Sequence, residues 1–289
     1  MSEPNWVYLD GCFLTAEEAR ISPFDRGFLF GQAAYEVTAV FNGKLIDFDA
    51  HMERLDRTLS GLEIPLPDLD LKALHEALIK RNGLREGVVY LHVTAGAPGP
   101  RDFYGPETFK PSVFICATHK QLIGDIARDG LTAISVEDTR WKRRDFKTTQ
   151  LVSQSLAYRA ARRAGSETAI FLEDGLITEA ASANLWMVTQ DGRLVTRSLS
   201  PALLAGITRR RLIRLLGDHV STIEERAFSL EELLDAAEAF TSSTGVVIAP
   251  VLSVDGKQIG DGTPGPVTRQ VQTAYYQYIG ADLDRLDWL

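Results

Sequence analysis

Residue types able to do chemistry gather in six short segments of this 289-residue chain. Asp25-Arg26-Gly27 stands with Tyr35-Glu36-Val37, followed by His51-Met52-Glu53-Arg54-Leu55, and Lys147 ends the run Arg143-Arg144-Asp145-Phe146-Lys147. Then come Thr178-Glu179-Ala180-Ala181-Ser182-Ala183-Asn184, Leu204-Ala205-Gly206-Ile207-Thr208-Arg209 and Thr241-Ser242-Ser243-Thr244. A deprotonated lysine amine is both nucleophile and base. Cations close to Lys147 in space would favour that neutral form by like-charge repulsion; the bland alternative is that 140–147 is a solvated basic stretch. Residues 206–208 lead into a helix carrying Arg209, Arg210 and Arg211, so the amides at its start and the Thr208 hydroxyl suit a dianion. His51 and Arg54 share one helical face through their three-residue spacing.

Other chemistries lose their usual signatures. No Gly-x-Gly-x-x-Gly follows a strand, and neither a Walker loop nor Gly-x-Ser-x-Gly is present. His51, His75, His92, His119 and His219 are scattered, without the paired spacing of a metal site, so no metal is expected. Cys12 and Cys116 lie far apart and read as reduced thiols. With 31 basic against 39 acidic side chains, the overall field does not favour nucleic acid, and the basic stretches 140–144 and 208–214 lack interleaved aromatics. The segment Met1-Ser2-Glu3-Pro4-Asn5 has no cationic lead into an apolar run, and no stretch reaches the roughly 20 apolar residues of a bilayer span. The expectation is a soluble cytoplasmic protein with no membrane contact.

The elements that must position these residues are announced by turns. Asp10-Gly11, Asn42-Gly43, Asp174-Gly175, Asp191-Gly192 and Asp255-Gly256 each separate strand-like segments, which predicts mainly antiparallel sheet. Residues 35–41 pair with 44–48, and 88–93 and 112–118 add strands rich in β-branched residues. Met52, Leu55, Leu59 and Leu62 recur at helical spacing after Asp49, a candidate cap. Further helices are expected over 71–81, ended by Asn82-Gly83, and over 150–163, 208–217 and 266–278. The polar stretch 124–130 marks a boundary, giving an N-terminal domain over 1–120, a linker over 121–129 and a C-terminal domain over 130–289. Strands and helices do not alternate regularly, so the fold class is α+β.

Taken in order, the six segments resemble the fold-type IV PLP enzymes, a family of D-amino acid aminotransferases, branched-chain aminotransferases and aminodeoxychorismate lyases that use pyridoxal 5'-phosphate (PLP). The resemblance runs from about Val7 to about Ala274. It implies a smaller N-terminal α/β domain, a larger C-terminal domain built on a pseudo-barrel, and a homodimer. It makes Lys147 the lysine that holds PLP as a Schiff base and moves the substrate proton, and Glu179 the acid beside the ring nitrogen. Arg54, Ile207, Thr208, Ser243 and Thr244 then match the phosphate cup, Asn184 a polar residue orienting the cofactor, and Leu204 a side chain packed on a ring face.

On the substrate side, residues 25–43 look closest to the D-amino acid aminotransferases, with Tyr35 matching their active-site tyrosine. Those enzymes hold the substrate carboxylate with an Arg-x-His pair; here Arg101-Asp102-Phe103 keeps the arginine and puts Phe103 where histidine would stand, while Ala39 replaces a basic residue. The same changes suit an uncharged substituent, so an (R)-selective primary-amine transaminase is the runner-up to transfer between a small D-amino acid and a 2-keto acid. Branched-chain L-amino acid transamination ranks lower, because Thr148-Thr149-Gln150-Leu151-Val152 lacks the tyrosine those enzymes carry after the lysine. Aminodeoxychorismate cleavage ranks with it. A non-catalytic PLP binder is disfavoured by the presence of both Lys147 and Glu179.

Overall fold

The computed structural model describes residues 5–217 and 223–289. Residues 1–4, on which most of the N-terminal reading rests, and His219 lie outside the described residues. The chain divides into two compact units, one made of Met1–Gln121 with Phe146–Gln150 and the other of Leu122–Asp145 with Leu151–Leu289.

The first unit contains β1 (Trp6–Leu9), β2 (Cys12–Thr15), α1 (Arg26–Phe30), β3 (Ala33–Phe41), β4 (Lys44–Leu45), α2 (Phe48–Gly61), α3 (Leu71–Arg81), β5 (Gly87–Thr94) and β6 (Ser112–His119). Its sheet runs β2-β1-β6-β5-β3-β4, every neighbour antiparallel. Period-two burial in β5 sends Val89, Leu91 and Val93 to one face, where they meet Leu55 and Leu59 of α2 and Leu78 of α3 in a single core. Four of the five Asp-Gly and Asn-Gly turns work as their types require: Asp10, Asn42, Asp174 and Asp255 all take φ between 45° and 52°, each followed by a glycine at positive φ, whereas at Asp191-Gly192 only the glycine does. These are the left-handed positions of tight hairpins.

In the second unit come α4 (Asp125–Asp129), β7 (Leu131–Glu137), α5 (Val152–Arg163), β8 (Thr168–Glu173), β9 (Leu176–Ala180), β10 (Asn184–Val188), β11 (Leu194–Thr196), α6 (Ile207–Leu216), β12 (Ile223–Glu225), α7 (Leu230–Leu234), β13 (Glu238–Ser243), β14 (Val247–Val254), β15 (Lys257–Gln258) and α8 (Pro266–Ile279). The nine-stranded sheet follows β12-β11-β10-β13-β14-β7-β8-β9, with β15 on β14. Only three residues separate the end strand β9 from β10, and Ala180 bridges Ala183 across that turn. The far edge therefore returns to the middle of the path, and the sheet curls into a pseudo-barrel. The α+β class stands.

Four details depart from the sequence pattern. The β7/β8, β7/β14 and β11/β12 pairs are parallel; β7 reaches β8 through α5, a crossover that hairpin turns cannot announce. The strand expected over 44–48 stops at Leu45, because Phe48 already belongs to α2. The cap position of α2 is Asp47, left-handed and without a side-chain bond, so Asp49 instead places its charge in the first turn. Within the stretch expected as linker, Asp125–Asp129 is helical.

One core residue makes the first unit acid-sensitive. His75 is fully buried on α3, with Nδ1 2.6 Å from the Leu71 carbonyl and Nε2 without a hydrogen-bond partner among the described residues. Burial pushes it down to about 4 from the ordinary 6.5. The unfolded chain thus binds the proton more tightly, and stability contributed above pH 6.5 is lost as pH falls towards 4. Between pH 7.5 and 5 the free energy of unfolding should drop by about 2 kcal/mol more in the wild type than in His75→Phe. Denaturant titrations of both proteins at the two pH values check this, and equal losses would remove His75 from the account.

Candidate active site

Lys147 is positioned by the open half of a strand edge. Because β4 pairs only with Val40 and Phe41, the start of β3 is left to the segment 146–150. Tyr35 N–H donates to the Lys147 carbonyl at 3.0 Å, Thr149 N–H to Ala33 at 3.3 Å, and Thr148 bridges Ala34. Lys147 N–H reaches the Thr58 hydroxyl of α2 at 3.3 Å. Phe146 packs where Gly61 has no side chain; a Cβ there would overlap the ring. With its backbone tied at both ends, half-buried Lys147 sets its Nζ 4.2 Å from the centroid of the Tyr35 ring.

Behind Tyr35, on the inward face of β3, lies Glu36. It has no solvent exposure and takes both Nε and Nη2 of Arg54 at 2.8 Å, plus His51 Nδ1 at 2.7 Å. Burial pushes its carboxyl up, yet the Arg54 guanidinium and His51 together hold it down at about 2. The shared face of His51 and Arg54 is therefore the face that meets Glu36. Arg101 has a different setting: exposed, its guanidinium stacks on Phe30 at 5.1 Å and Phe103 at 4.8 Å.

The second unit gathers Glu179, Asn184, Leu204, Ile207 and Thr208. Glu179 is buried near the end of β9. One carboxylate oxygen meets Arg140 Nη1; the other accepts from the Leu204 N–H at 3.2 Å and from Asn184 Nδ2 at 3.4 Å. The same Asn184 amide donates to the Leu204 carbonyl at 2.9 Å, so both backbone groups of Leu204 serve this cluster. Burial pushes the Glu179 carboxyl above the usual carboxylate range, against the pull of Arg140. Gly206 caps α6 and has room only for hydrogen, since a Cβ would overlap the Asn184 amide oxygen. No side chain among the described residues caps that helix start, which leaves its first N–H groups for another acceptor. Ser243 and Thr244 lie at the β13–β14 turn, where the Ser243 hydroxyl accepts from the Val246 N–H at 3.3 Å. Asn184 pairs in register with Ser242, one residue before.

Two participants escaped the sequence pattern. Glu36 was visible as a carboxylate in phase with the inward residues Ala34, Thr38 and Val40, which demands a buried cation. Arg140 gave no such signal, because its partners Asp138 and Glu179 are set by the sheet. The basic run before Lys147 is not an unneutralised cluster: Arg143 pairs with Asp145, Arg144 with Glu173 and Asp138, and Lys142 with Glu173.

Fold and site together define an enzyme of the aminotransferase type, and comparison with known proteins bears this out. The Amino-transferase class IV family matches residues 33–254. A D-alanine aminotransferase of Bacillus licheniformis is 34% identical over 270 residues, covering 93% of this chain and 95% of that one. One of Staphylococcus haemolyticus is also 34% identical, over 94% of this chain and 97% of its own. Among solved structures, a branched-chain amino acid aminotransferase from Escherichia coli superposes with a TM-score of 0.85 at 27% identity, over 96% of this chain and 94% of that chain. The chain belongs to the class IV aminotransferases. It is a PLP-dependent transaminase. Among the described residues no helix is long and apolar enough to cross a membrane.

Proposed function

We propose that this enzyme moves the amino group of a small D-amino acid, D-alanine foremost, to a 2-keto acid such as pyruvate or 2-oxoglutarate. The observation that carries the choice of donor is the 34% identity, over nearly the whole of both chains, to enzymes named D-alanine aminotransferase. When bound, PLP supplies an aldehyde that captures amines and a ring that withdraws electrons from the substrate Cα. The side chains fit it in two respects: the α6 start offers uncapped amides to a phosphate, and Glu179 offers a buried carboxylate to a protonated ring nitrogen.

Lys147 would hold the cofactor and, once freed, carry the proton from substrate Cα to the cofactor C4'. Glu179 would keep a proton at the ring nitrogen, its carboxylate oriented by Asn184. Arg54 in the first unit, and the Ile207 and Thr208 amides with the Ser243 and Thr244 hydroxyls in the second, would supply the phosphate contacts, and Leu204 would pack on the ring. Tyr35 and Arg101 would face the substrate. A homodimer is supported by the exposed aromatics Phe24, Phe28, Phe103 and Tyr104 of the first unit, and a cytoplasmic setting by the free thiols Cys12 and Cys116.

A second reading, transamination of (R)-configured primary amines, is favoured by the two adjacent aromatic rings, Phe30 and Phe103, packed against Arg101. Steady-state assays of D-alanine, (R)-1-phenylethylamine and L-leucine against pyruvate and 2-oxoglutarate decide the matter. D-alanine should give the highest kcat/KM. Preference for the amine would install the second reading, and activity on L-leucine alone would sink both.

A further inference from the structure

We propose that Arg140 is a positioning residue: it holds Glu179 as an anion, so that the proton between Glu179 and the PLP ring nitrogen stays on the ring. The inference rests on the reading that Glu179 faces that nitrogen.

Arg140 sits where a carboxylate can be tuned. Its side chain is 6% exposed and its guanidinium lies 4.4 Å from the Phe171 ring centroid. Nε and Nη2 grip the two oxygens of Asp138 at 2.9 and 2.7 Å, which fixes the plane of the fork and directs Nη1 at Glu179. Asp138 is itself anchored by the Thr178 hydroxyl at 2.8 Å and by Arg144 at 3.4 Å. Thr178 precedes Glu179 on β9, so the two carboxylates and the arginine are registered to one strand.

Among the described residues every hydrogen-bond partner of the Glu179 carboxylate is a donor: the Arg140 guanidinium, the Leu204 N–H and the Asn184 amide. The orientation of that amide is fixed, because the same nitrogen donates to the Leu204 carbonyl. A protonated carboxyl would need an acceptor, and none of these groups is one. The donors thus select the anion, although burial pushes the other way. Of the three, only Arg140 brings charge. Without it, Glu179 would be left with neutral donors beside a second buried carboxylate, Asp138, whose remaining cation, Arg144, is shared with Glu173. Glu179 would then keep the proton and donate to a neutral ring nitrogen, and the ring would lose its pull on the electrons of Cα.

The test uses full-length enzyme reconstituted with PLP labelled with 15N in the ring. Arg140→Gln keeps neutral donors in the space, and Arg140→Lys keeps the charge without the fork. In the wild type the 15N signal should be that of a protonated ring. In Arg140→Gln it should move to the unprotonated position while PLP stays bound, with kcat lower by about a hundredfold and KM little changed. Arg140→Lys should restore the protonated signal and part of kcat, and it serves alone should the glutamine variant not fold. A protonated signal in Arg140→Gln, or an unprotonated one in Arg140→Lys, overturns the role of Arg140. A wild-type signal that is unprotonated, or that Glu179→Gln leaves unmoved, overturns instead the placing of Glu179 at the ring.

Discussion

Lys147→Ala is expected to lower transamination by at least about a thousandfold, because it removes both the amine that holds the cofactor and the base that moves the Cα proton. The loss should be chemical and local. The backbone of Lys147 is tied to Tyr35 and Thr58 through main-chain atoms that alanine retains, and the side chain is only half-buried. Unfolding free energy should therefore change by no more than about 1 kcal/mol. The variant should still take up PLP, measured by equilibrium dialysis, since the proposed phosphate contacts come from other residues. Added methylamine should restore part of the rate, because a small free amine can occupy the space left beside Tyr35. A variant that keeps a tenth of wild-type turnover would show that another group carries the proton.

How far such sites can be read beforehand depends on whether the information is local. The hairpins at Asn42-Gly43 and Asp174-Gly175 are legible because only a few residue types tolerate positive φ in adjacent positions. Helix α3 is legible too: its apolar spacing, the Asp70 side chain bonded to the Ala73 N–H and the Asn82 stop all lie within the segment. Lys147 and Glu179 were found by the order of motifs and not by any property of their neighbours. By local sequence alone the run Arg140 to Lys147 could pass as a solvated basic stretch, yet Arg144 is nearly inaccessible and Arg140 spans two carboxylates. Which anion meets which cation depends on the register of β8 and β9 and on where the chain after β7 turns. Those are non-local facts, as are the parallel pairs of β7. Binary patterning shows that Glu36 points inward; it does not show that Arg54 and His51 wait there.

Arg54→Leu should carry the largest stability penalty, about 3 to 5 kcal/mol at pH 7.5, by leaving Glu36 buried without its cation. The pH dependence supplies an internal check because its sign inverts. In the wild type Glu36 is held at about 2, below the ordinary 4.5, so its contribution is complete above pH 4.5 and disappears as pH falls towards 2. In Arg54→Leu the guanidinium no longer opposes burial, and the carboxyl rises above 4.5 in the folded state. The folded variant then binds the proton more tightly than the unfolded chain, so acidification from pH 7.5 to 5.5 should shrink the penalty. The difference between the two proteins also cancels the shared loss from His75. Adding Glu36→Leu to Arg54→Leu should recover most of the penalty, since two apolar side chains can replace a buried ion pair at little cost. Denaturant titrations of the four proteins of this cycle at both pH values give the coupling directly. A penalty that stays constant with pH, or a double variant no more stable than Arg54→Leu, would mean that Arg54 stabilises the first unit through its packed carbon chain and not through Glu36.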